Sequence, residues 1–116
     1  NLTDREQRED ILLRALTVQQ MMKSFALAYV HVFGSQIRAL HELNARNITK
    51  SEAQEMFQQL QRDNPALEKW TLDQYLNYLL IWKFIELDGE SYAITETGRN
   101  FLKFLVDHKL SEDKLN

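Results

Sequence analysis

The sequence predicts a mainly α-helical domain with a small β-hairpin, preceded by a long helical N-terminal extension. Three observations lead there. Apolar residues recur every three or four positions through most of the 116 residues, which puts them on one face of a helix. The three glycines and single proline act as punctuation. One stretch, Phe84 to Phe101, changes to apolar/polar alternation around an Asp-Gly pair, the pattern of two strands and a tight turn.

The first helical stretch runs from Asp4 to about Asn44. Ile11, Ala15, Val18, Met22, Phe25 and Tyr29 follow one another at helical spacing, and Phe33, Ile37 and Leu40 continue the stripe. Gly34-Ser35 interrupts it, and a break or kink is expected there, with Ser35 able to cap the next helix. A second helix begins at one of two capping boxes, Thr49-x-x-Glu52 or Ser51-x-x-Gln54. Its stripe is Ala53, Met56, Phe57 and Leu60, and Asn64-Pro65 stops it, with a short extra turn over 65–69. A third helix starts at Thr71-x-x-Gln74, with Trp70 and Tyr75 at hydrophobic-staple positions, and runs to about Lys83. Ile85 and Leu87 then alternate with Glu86, Asp88-Gly89 turns the chain, and Tyr92 and Ile94 form the return strand. Thr95 caps a last helix whose apolar face is Phe101, Leu102, Phe104 and Leu105. Residues 111–116 read as a frayed polar tail. This divides the chain into an extension over 1–34 and a domain over 35–110.

Bulk properties narrow the function. A chain of this length holds one domain with a real core. Hydrophobic residues at 44% and charged residues at 27% are ordinary for a globular protein. There is no cysteine, which excludes disulfides and thiolate metal sites and suits a reducing, cytoplasmic location. The longest apolar run, Phe25 to Phe33, is broken by His31 and is far too short for a membrane span. No signal-peptide pattern is expected, and the start at Asn1 rather than Met suggests a piece of a longer protein. Asn1-Leu2-Thr3 and Asn47-Ile48-Thr49 match glycosylation sequons by chance. The net charge of −3 lacks the basic excess that marks many nucleic-acid binders.

With the order helix, helix, helix, hairpin, helix, Tyr75-x3-Leu79-x5-Ile85-Glu86 and Tyr92-Ala93-Ile94-Thr95-x2-Gly98-x2-Phe101-Leu102 resemble a domain of the winged-helix family. The resemblance covers roughly residues 35 to 108. It implies a compact helical core, a hairpin wing and a third helix that commonly enters the DNA major groove. Gly98 would then let the last helix approach the hairpin closely.

The residues of the third helix argue against that use. At 100° per residue, Leu72, Tyr75, Leu76 and Leu79 form the core side. Asp73, Gln74, Asn77, Tyr78 and Ile81 face outwards, with no Arg or Lys among them. Phosphate contacts dominate affinity for DNA, and Asp88-Gly89-Glu90 in the wing turn would repel phosphate as well. Gln74, Asn77, Tyr78 and Ile81 are therefore read as a surface for a protein partner. The alternative is a dimeric DNA-binding transcription regulator. It would use Gln74 and Asn77 on bases and Arg38, Lys50 or Arg99 on phosphate.

A straight helix from Ile11 to Leu40 would be about 45 Å long, against about 25–30 Å for a domain of about 75 residues. Ile11, Val18, Met22, Phe25 and Tyr29 are accordingly read as the seam of a homodimer. The other possibility is that the chain folds back at Gly34. Acidic residues Asp4, Glu6, Glu9 and Asp10 balance the basic ones, which disfavours a membrane-surface helix. No catalytic residue, metal site or cofactor is expected. His31, His41 and His108 share no metal-ligand spacing, and no phosphate loop or nucleophile elbow is present.

Overall fold

A computed structural model of the chain describes residues 19–111. The chain divides into two units, residues 1–31 and 32–116. In the first, helix α1 is described over residues 19–31. It buries Phe25 and Ala28 and exposes Met21, Met22, Leu27 and Val30.

The second unit contains α2 (Gly34–Ala45), β1 (Ile48–Thr49), α3 (Lys50–Asp63), a 3-10 turn (Pro65–Leu67), α4 (Leu72–Ile81), β2 (Ile85–Asp88), β3 (Ser91–Ile94) and α5 (Glu96–Asp107). It is mainly helical, with a three-stranded antiparallel sheet in the order β1-β3-β2.

The break near Gly34 falls at Val32 and Phe33, and Gly34 opens the new helix. Ser35 is not the cap. Phe33 occupies the cap position, and its backbone N–H donates to Gln36 Oε1 at 2.8 Å. Gln36 is only 3% exposed, and its Nε2 also donates to the Tyr75 carbonyl at 2.6 Å. One buried amide thus closes the start of α2 and ties it to α4. Its burial is tolerable because both ends of the amide are bonded.

Of the two capping boxes proposed for α3, Thr49–Glu52 is formed: the Glu52 N–H donates to Thr49 Oγ1 at 3.1 Å. Thr71–Gln74 caps α4 in the same way, at 3.1 Å and 2.9 Å in the two directions. The Trp70–Tyr75 staple works through a third ring. Phe33 lies 5.7 Å from Trp70 and 6.1 Å from Tyr75.

α4 ends two residues before Lys83, the expected limit. The Phe84 N–H donates to Leu79 O and the Lys83 N–H to Leu80 O, the paired bonds of a Schellman ending. Lys83 takes the left-handed position at φ 61 that glycine usually fills. α5 stops alike, with Lys109 at φ 55 and the Leu110 N–H on Leu105 O.

The hairpin differs from expectation in three ways. Asp88 pairs with Ser91, so the turn residues are Gly89 and Glu90 rather than Asp88 and Gly89. Gly89 has φ 62, as the first central residue of a type II′ turn does. A third strand, Ile48–Thr49, pairs with β3 and makes it the central strand. Leu87, which alternation places on the same face as Ile85, is 52% exposed, while Ile85, Tyr92 and Ile94 are buried. Leu87 lies on the edge strand near the turn. Its central-strand partner Tyr92 takes the covered place.

The core is built where α2, α4, α5 and the sheet meet. Ile37, Leu40, Leu79, Phe84 and Phe101 are each at most 1% exposed. Phe84 and Phe101 stack with centroids 4.4 Å apart. Gly98, on α5, lies against the Phe84 carbonyl: a Cβ there would sit 2.2 Å from that oxygen. Thr95 joins the same corner. Its N–H donates to Phe84 O at 2.9 Å, its hydroxyl donates to Lys83 O at 2.5 Å, and Thr95 Oγ1 accepts from the Gly98 N–H at 3.0 Å.

Candidate interaction surface

The outward side of α4 is set by the demands of its inward side. Tyr75, Leu76 and Leu79 are buried. Gln74, Asn77, Tyr78 and Ile81 consequently share the other face at i, i+3, i+4 and i+7 spacing. Gln74 and Asn77 are exposed, and Ile81 is 66% exposed. Tyr78 is half-buried and packs on Trp82 at 5.8 Å. Leu80 adds apolar surface at 36% exposure. The exposed members of α4 include one carboxylate, Asp73, and no Arg or Lys.

Gln74 is less available than its exposure suggests. Its Oε1 accepts from the Thr71 N–H at 2.9 Å and closes the cap. A bidentate contact with adenine needs both the oxygen and the nitrogen of the amide, so such a contact would compete with the start of α4.

The hairpin adds negative charge. Glu86, Asp88 and Glu90 are exposed, and the Lys50 N–H fixes the turn by donating to Glu90 O at 2.8 Å. At the start of α4, burial raises the Tyr92 phenol pKa, and the charge of Asp73 adds to the rise.

The three cations expected to meet phosphate are exposed and lie on three other elements. Arg38 is on α2, Lys50 opens α3 and Arg99 is on α5. Arg46, a further cation of that region, is already engaged: its guanidinium lies 3.4 Å from Glu42 and 2.9 Å from Glu52. The bond from Arg46, followed by that from the Thr49 backbone, lowers the Glu52 carboxyl pKa. Both side chains are solvated, so the pair adds little stability.

Of the seam residues, Ile11 and Val18 lie outside the described residues. Met22 is 38% exposed, Tyr29 is half-buried and Phe25 is buried. His31, His41 and His108 are exposed, with His108 against the Phe104 ring at 4.5 Å. Among the described residues no three metal-ligating side chains cluster, and no helix is long and apolar enough to cross a membrane.

The sequence reading missed a polar cluster. Ser35 Oγ is hydrogen-bonded to Tyr75 Oη, and Arg38 stands near enough to favour the phenolate electrostatically. Burial outweighs both and raises the Tyr75 pKa. The i, i+3 spacing of Ser35 and Arg38 was legible, but their meeting with a residue about 40 positions away was not.

No family model, curated protein or solved structure matches this chain.

Proposed function

We propose that the chain is a non-enzymatic winged-helix module that acts through protein contacts and forms a homodimer through its N-terminal helix. The order α2-β1-α3-α4-β2-β3-α5 supports the fold reading, because the sheet strand between the first two helices and the hairpin before the last fit that architecture. One observation carries the functional reading. The exposed side of α4 is uncharged or acidic, and the hairpin turn is acidic too. Such a face offers no attraction to a phosphate backbone. It presents Asn77, Tyr78 and Ile81, a mixed polar, aromatic and apolar set suited to a protein interface.

Titration of duplex DNA at several salt concentrations tests this. At physiological salt the expected dissociation constant is about 10⁻⁴ M or weaker, the upper range for non-specific binding. Micromolar binding with a steep salt slope would instead support the DNA-binding regulator, with Gln74 and Asn77 on bases and Arg38, Lys50 or Arg99 on phosphate.

The dimer has its own test. Met22 is exposed on α1, so Met22→Asp puts a charge in the seam without opening a core. Sedimentation equilibrium is expected to give the mass of two chains for the parent protein and one for the variant. A folded variant of unchanged mass removes Met22 from the interface.

A further inference from the structure

The second unit contains an apolar groove of about 300 Å³ between α2, α3, α4 and the sheet. Its floor is formed by buried residues including Ile48, Phe57 and Leu76. Met56, at 44% exposure, and half-buried Leu60 form part of its wall. These two belong to the apolar stripe of α3, of which Phe57 alone is buried.

One side of the groove is polar. Ser35, Arg38 and Glu42 line it from α2, and Tyr75 faces them from α4. Glu42 shares the Arg46 guanidinium, 3.4 Å away, with Glu52, which lies closer to it at 2.9 Å. Among the described residues no carboxylate pairs with Arg38. The Ser35–Tyr75 bond uses one of two hydroxyl protons, and the other remains for a ligand. An apolar trough thus meets a guanidinium that makes no ion pair among the described residues, and a spare hydroxyl donor.

We propose that this groove binds a small amphipathic monocarboxylate, its apolar body against Ile48, Met56, Leu60 and Leu76 and its carboxylate on Arg38. The guanidinium fork matches a carboxylate geometrically. The volume lies at the small end of ligand sites. A second protein chain would need roughly 1,000 Å² or more of interface, well beyond what the groove alone provides.

Octanoate, 2-naphthoate and the neutral octan-1-ol serve as probes, followed by amide chemical shifts of the 116-residue chain. Both acids are expected to produce saturable shifts at residues lining the groove. Arg38→Gln, a surface change, should weaken octanoate about tenfold or more and leave octan-1-ol unchanged. Ala53→Leu, which adds bulk to the wall, should abolish binding of all three, with thermal melting as the check on folding. The proposal is overturned by an absence of saturable shifts in the millimolar range. It also fails if shifts map elsewhere, or if octanoate affinity is equal in Arg38→Gln and the parent.

Discussion

Gly98→Ala is expected to lower the melting temperature by about 10 °C, although it replaces glycine within a helix by the best helix former. Propensity alone would favour alanine by about 1 kcal/mol. The new methyl carbon would lie 2.2 Å from the Phe84 carbonyl oxygen and 2.7 Å from Ile94 Cγ1. The Ile94 side chain can turn aside, but the carbonyl cannot, because it accepts from the Thr95 N–H at 2.9 Å. α5 must therefore shift outwards, which strains the Thr95 cap on Gly98 and loosens the Phe101 contact with Phe84. Overpacking of this kind costs about 3 kcal/mol, leaving a net loss of about 2 kcal/mol. Calorimetry of the two proteins decides it. An alanine variant melting at or above the parent would mean that α5 does not approach the hairpin this closely.

Gly98 was also where the sequence spoke most directly about packing, since a glycine three residues after a threonine cap has little other use. Thr71–Gln74 was equally legible, because a cap depends on residues three apart, whereas the same rule left Thr49–Glu52 and Ser51–Gln54 both open for α3. What was missed depends on distant partners or on elements too short to have a period. Ile48 and Thr49 form a strand only because β3 lies beside them, and two residues cannot display alternation. Lys83 and Lys109 hold helix ends without glycine. The closing backbone bonds to Leu79, Leu80, Leu105 and Val106 go with the left-handed turn there, whereas local preference opposes it. Leu87 obeyed its alternation but lacked cover at the hairpin edge. The same distinction governs the candidate surfaces. The outward face of α4 followed from periodicity within one helix. The groove and its Ser35–Arg38–Tyr75 corner needed α2 and α4 to be placed together.

Phe84→Ala is expected to cost more than any other single change considered, about 4 kcal/mol. Phe84 is fully buried, stacks on Phe101 at 4.4 Å and an interplanar angle of 15°, and approaches Trp82 at 6.1 Å. Its backbone N–H also closes the Schellman ending of α4 on Leu79 O, so its ring links the end of that helix to α5. A domain of this size has only about 5–10 kcal/mol of total stability, so chemical denaturation should show a large fall in midpoint. A cycle with Phe101→Ala isolates the ring pair, for which a coupling of about 1 kcal/mol is expected. Combining Phe84→Ala with Gly98→Ala separates two sources of strain. The methyl at position 98 meets the backbone oxygen of residue 84, which remains when the ring is removed. The cavity therefore should not rescue the alanine variant, and the double mutant should be less stable than either single mutant. Recovery of stability in the double mutant would show that the ring, rather than the carbonyl, sets the distance between α5 and the hairpin.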